Sequence, residues 1–279
     1  MPSLLDALHY DFVQHAILAG VLASVLCGVI GTFVVVKRLA FIGGGISHAA
    51  FGGLGLCFFL GVNPILGAIG VSLLVALLLG LVDAERVRSQ DALIGVLWAA
   101  GVAVGIVFIA KTPGYAPNLM TYLFGNILLV NESDLWITLG LSAVVLATVA
   151  LFYKGLVAVA FDEVFARVQG APVRLLRTLL LVLMALTVVI LIQVVGIILV
   201  IALLTIPPVI ALMLCRDLKH VILCSVGLGV AMTLSGLAIS YEADLPSGPA
   251  IILLGTGVLL AVYAAKRARS GGGYEVKGT

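Results

Sequence analysis

The sequence predicts an all-α protein, a polytopic transmembrane helical bundle of about nine spans. Three observations carry this expectation. Hydrophobic residues fill 63% of 279 positions and charged residues only 10%, where a soluble domain has about 25% charged and 45–50% apolar residues. The mean hydropathy is +1.30, so lipid rather than a protein interior must solvate most of the apolar surface. Polar punctuation also cuts the chain into apolar stretches of roughly 20 residues, the length that crosses a bilayer core.

The predicted spans, in order, are 12–36, 41–60, 64–82, 91–110, 135–153, 176–194, 196–214, 221–240 and 249–265. The run 176–214 is unbroken and too long for one helix, so it is divided near Gln193 to Gly196 into a tight hairpin. The apolar run 122–130 is too short to cross. It reads as a re-entrant or interfacial helix packed against protein, an arrangement of eight spans plus that helix that would start the fifth span later than 135. Residues 1–266 form one transmembrane domain, and 267–279 a flexible cytoplasmic tail. The opening residues, with Asp6 and Asp11, lack the features of a cleavable signal peptide.

Basic residues orient the chain. With the N-terminus outside and the C-terminus in the cytoplasm, fourteen of the fifteen lysines and arginines lie on the inner side, and Lys111 alone lies outside. That is the positive-inside pattern of a multi-pass cell-membrane protein, the inner membrane in a cell with two. A net charge of +2 gives no basis for binding nucleic acid. The four cysteines are scattered without metal-ligand spacing and read as small hydrophobes. No paired catalytic carboxylates, HExxH or GxSxG pattern marks an enzyme, and no Gly-x-x-x-x-Gly-Lys-Ser/Thr loop marks an ATPase.

His48 stands out because it lies well inside a span, ten residues beyond Arg38 and so about 15 Å from the inner boundary. Ionisable groups at that depth cost about 2.5 kcal/mol or more and face a bundle interior or an aqueous path. Taken alone, such a histidine is more readily a neutral donor across a tight helix crossing. Gly43, Gly44, Gly45, Gly52, Gly53 and Gly55 surround it and allow close helix approach. Residues 161–170, FDEVFARVQG, read as a short amphipathic helix on the longest inner loop. Asp162 and Glu163 suit its N-terminus, Phe165 and Ala166 lie within it, and Gly170 ends it. Pro207 and Pro208 inside the seventh span remove backbone donors, and are expected to kink or break it as a gate or hinge, or as a static packing kink.

Four segments in order, KR then FIGGGISHAAFGGLGL (37–56), YLFGNILLV (122–130), FDEVFARVQGAPVRLLRTLL (161–180), and LLTIPPVIALML with DLPSGPAIILL (203–254), resemble the ABC-3 family of permeases. The resemblance runs from about residue 12 to 265. It implies the permease subunit of an ATP-driven importer of zinc, manganese or ferrous iron, itself not an enzyme and holding no permanent cofactor. The implied partners are a cytoplasmic ATPase, an extracytoplasmic metal-binding protein, a second copy of the chain and the lipid bilayer. A permease for a metal chelate of the siderophore or cobalamin type is the alternative. The resemblance gives His48 a role in metal passage, and gives residues 161–170 the role of docking into the ATPase. Many relatives carry an aspartate one turn before this histidine, where this chain has Gly44. Asp244, in the family-like DLPSGPAI segment, is the acid expected to attract metal at the outer mouth, with Glu242 beside it.

Overall fold

The computed structural model describes residues 10–81, 90–113, 125 and 127–270. Among them, nine helices are long and apolar enough to cross a membrane. In chain order the helices are α1 (Asp11–Val36), α2 (Ala40–Phe59), α3 (Pro64–Leu81), α4 (Gln90–Lys111), α5 (Glu132–Phe161), the short α6 (Glu163–Val168), α7 (Val173–Val195), α8 (Ile197–Leu214), α9 (Leu218–Ala243) and α10 (Ser247–Ser270). The expected all-α bundle of nine spans is therefore the one observed. Tyr122–Phe124, Asn126, Arg86, Arg88 and residues 271–279 lie outside the described residues.

Two groups of helices make up the bundle. α2 packs between α3 and α4, while α1 packs on α8, α9 and α5. α7 joins the groups by lying against α3, α5, α1 and α2, which is why most of its side chains are buried. No hydrophobic force favours one apolar helix over lipid, so contact depends on close packing and hydrogen bonds. Glycines supply that closeness around α2. A Cβ built on Gly53 would overlap the Gly67 carbonyl of α3, and one on Gly67 the Gly53 carbonyl. On the opposite face, a Cβ at Gly52 would stand 2.9 Å from the Gly101 oxygen of α4. In the other group, Ser24 of α1 and Thr233 of α9 hydrogen-bond at 3.0 Å.

Three expectations change in detail. The sixth and seventh spans are not a close-packed hairpin. Only Gly196 (φ 82, ψ 160) separates α7 from α8, which leaves no loop to fold the helices flat together, and they pack chiefly on different partners. The fifth span begins at Glu132 and runs unbroken to Phe161, longer at both ends than expected. Before it, the described part of 122–130 is a 3-10 turn, Ile127–Leu129, packed on α1 with Ile127 buried. Gly125 (φ 66) presses on the Val195–Gly196 junction, where no Cβ would fit. Finally, α10 continues to Ser270 and includes the first residues of the segment expected to be tail.

The paired prolines do not break α8, which is one helix from Ile197 to Leu214. Pro207 and Pro208 leave the carbonyls of Leu203 and Leu204 without their usual i+4 donors. Gly31 of α1 faces the Leu204 carbonyl so closely that a Cβ there would collide with it. A neighbouring backbone thus covers the weak point, as a membrane requires.

Candidate functional site

Several contacts gather the basic turns at one end of the bundle. Lys37 meets α6, Arg174 donates to the Leu81 carbonyl at 3.0 Å, and Lys266 donates to the Met213 carbonyl at 3.0 Å. α2 starts at this basic end, and His48 lies eight residues further on, about 12 Å up the helix and near its middle.

The ring of His48 is fixed at two points. Nδ1 lies 3.0 Å from the Gly44 carbonyl oxygen, one turn earlier. A carbonyl can only accept, so Nδ1 donates, and in the neutral form of the ring the Nε2 lone pair is left for another partner. One face of the ring stacks on the indole of Trp98 from α4, with centroids 4.1 Å apart and planes 23° apart. Such aromatic pairs contribute about 0.5–1.5 kcal/mol beyond their buried area. Phe41, one heptad before His48, leans on the same indole at 5.9 Å. His48 is only half-buried, so the ring is held but not enclosed.

Gly44 has a steric explanation. A Cβ there would lie 2.7 Å from Trp98 Cζ3 and 3.2 Å from Cη2. The indole occupies the room that an acid at position 44 would use.

Asp244 is not brought to His48. It is exposed and caps the end of α9 in the left-handed conformation (φ 52), donating its backbone N–H to the Ser240 carbonyl. Aspartate tolerates that conformation better than most residues. α2 does not have α9 or α10 among its main neighbours, and Asp244 sits at a helix end while His48 sits at mid-depth. Among the described residues, no three His, Cys, Asp or Glu side chains are placed to hold one metal ion. One chain therefore offers a single imidazole at this level.

Within residues 161–170 the expected short helix forms as α6, Glu163–Val168. Asp162 is extended (φ −150, ψ 104) and ends α5 while starting α6. Its Oδ1 accepts from the Val164 and Phe165 N–H groups at 2.8 and 2.9 Å, satisfying two donors that a helix start leaves open. Gly170 (φ 80) closes the other end: its N–H bonds the Arg167 carbonyl and Ala171 N–H the Ala166 carbonyl, each at 3.0 Å, a Schellman closure. Ala166 is fully buried with Val159, Val173 and Leu176, so it anchors the helix and takes no part in its surface. Phe161, Val164, Phe165 and Val168 are all more than half exposed. A six-residue helix showing three apolar side chains, with Phe161 at the end of α5 beside them, presents a surface suited to a partner.

Two residues near these sites had no assigned role in the sequence reading. By sequence Lys37 reads as a positive-inside charge and as the start of the first family-like segment. It forms an ion pair with Glu163 and also donates to the Val159 carbonyl at 2.9 Å. It thus joins the end of α1 to the end of α5 and the start of α6. The turn that aims it has Arg38 in the left-handed region (φ 59), a conformation that costs a non-glycine residue about 1–2 kcal/mol. Trp98 carried a faint signal: tryptophan favours the membrane interfaces, and this one stands near the middle of its helix.

Nine membrane-length helices among the described residues, the isolated histidine at mid-depth and the apolar helix displayed at the basic end are the features of a multi-pass membrane permease. The chain belongs to the ABC 3 transport family, whose model matches residues 9–266. It is 43% identical over 265 residues to an uncharacterized membrane protein, slr2045, of Synechocystis sp., covering 95% of this chain and 94% of that one. It is 34% identical over 275 residues to the manganese transport system membrane protein MntC of Halalkalibacterium halodurans, covering 94% of each. Among solved structures it resembles PsaBC from Streptococcus pneumoniae in complex with Fab, with a TM-score of 0.84, 32% identity and coverage of 93% and 94%.

Proposed function

We propose that this chain is the permease subunit of an ATP-driven importer of a divalent transition metal ion, zinc, manganese or ferrous iron. The observation that carries the reading is His48, a lone imidazole at mid-depth whose bonded Nδ1 leaves Nε2 free as a ligand. The likeness to MntC, a manganese transport system membrane protein similar along nearly its whole length, supports the cargo class. In this reading the N-terminus is outside and the C-terminus is cytoplasmic. An extracytoplasmic binding protein delivers the metal, and exposed Asp244 helps attract it at the outer mouth. Two copies of the chain place two copies of His48 at the path, which compensates for the small ligand count of one. A separate cytoplasmic ATPase grips the apolar face of α6 and transmits its closure through Asp162, Glu163 and Phe165. Pro207 and Pro208, where α8 lacks two of its own backbone bonds, are the point at which it flexes beside α2.

The test is uptake by the assembled transporter carrying His48→Ala. At limiting metal the rate is expected to fall roughly tenfold or more, the scale on which altered ligation weakens metal sites. Uptake equal to the parent's, with the complex intact, would remove His48 from the path.

A further inference from the structure

Position 44 and the indole of Trp98 cannot both be filled. The space beside the Gly44 Cα is occupied by Trp98 Cζ3 at 2.7 Å from any Cβ. That same indole backs the imidazole at 4.1 Å, and Phe41, on the same helix as His48, leans on it at 5.9 Å. Trp98 therefore does two things at once. It backs the His48 ring, whose Nδ1 is tied to the Gly44 carbonyl, and it denies a carboxylate one of the positions on α2 that lie a helical turn from that ring.

We infer that Trp98 is a specificity-determining residue, which keeps this level of the path a nitrogen-donor site that favours zinc over manganese. The inference rests on the reading of His48 as a metal ligand. Imidazole suits zinc, whereas manganese is better served by carboxylate, carbonyl and water oxygen. With two copies of the chain the site has two imidazoles and no acid from α2. Exchanging the indole for a small side chain would open room for an acid at position 44 and shift the donor set toward oxygen.

The test uses the purified full-length permease and the complete transporter side by side, with radioactive zinc and manganese in competition. In the parent, zinc is expected to displace manganese from the permease at a concentration at least tenfold below that at which manganese displaces zinc. Gly44→Asp alone forces the indole out and lowers binding of both metals. Gly44→Asp combined with Trp98→Ala restores binding and moves the zinc-to-manganese ratio at least tenfold toward manganese. Trp98→Phe, which keeps a stacking ring and the core packing, moves the ratio less than the double variant. The two tryptophans of the sequence are Trp98 and exposed Trp136. In a Trp136→Phe background, bound paramagnetic manganese should therefore quench Trp98 emission, and zinc should relieve the quenching.

An unchanged metal ratio in the double variant, or equal preference in the parent, overturns the inference. Full tolerance of Gly44→Asp with the parent's ratio does so too. Failure of the underlying reading looks different: His48→Ala would then leave both metals bound and transported as before.

Discussion

Lys37→Met is expected to leave the permease folded in the membrane and nearly unable to import metal. The ammonium group holds three things together. It caps the Val159 carbonyl in the last turn of α5, where backbone acceptors lack intrahelical donors, and it pairs with Glu163 at the start of α6. A cation at one helix C-terminus and an anion at another helix N-terminus both suit the local dipoles. Hydrogen bonds to charged groups contribute about 1.5–3 kcal/mol each. Glu163 is about a third exposed (31%) and Lys37 is mostly buried (13%), so solvent weakens the pair more than the carbonyl bond. A net loss of about 2–3 kcal/mol would cut the occupancy of the docked α6 geometry by one to two orders of magnitude. The measurement is metal uptake alongside ATP hydrolysis in the reconstituted complex. Hydrolysis should persist while uptake falls by a similar factor, since in the proposed coupling the ATPase would close against an unanchored helix. Glu163→Gln keeps an acceptor for Lys37 and should cost less. Parental uptake by Lys37→Met would show that α6 needs no such tether.

Gly53→Val is expected to destabilise the folded protein itself. Gly53 and Gly67 meet backbone to backbone, and a Cβ on either collides with the other's carbonyl. Side chains can rotate away from an intruding methyl group, but two helix backbones can only separate. Overpacking a core typically costs about 1–3 kcal/mol, and more where nothing can yield. Separation here would pull α2 from α3. For a chain of this size each kcal/mol corresponds to about 2–4 °C, so the melting temperature in detergent should drop by about 10 °C. Gly70 lies on the same helix as Gly67 with open space around it, and Gly70→Ala should shift melting by less than about 2 °C. Equal effects at the two positions would refute the packing argument.

Much of the architecture was legible because lipid imposes simple rules. A segment must be long, apolar and internally bonded to cross, so span positions follow from the linear order of apolar and charged residues. The α6 helix was also legible, since its cap and its terminator, Asp162 and Gly170, lie within ten residues of sequence. The gathering of basic turns at one end agrees with the charge distribution as well. Less legible were features whose cause lies in a remote segment. The fate of the prolines in α8 depended on Gly31 of α1, and the splay of α7 from α8 depended on the partners each one found.

The bundle of nine apolar helices was thus determined by the sequence alone, because burial in lipid is decided residue by residue along one chain. The site was not. That Gly44 makes room for Trp98, that the indole backs His48, and that Lys37 pairs with Glu163, 126 residues away, were decided only when packing brought distant helices together. Hydropathy records how well a side chain tolerates lipid. It carries no information about which other side chain will occupy the adjacent space.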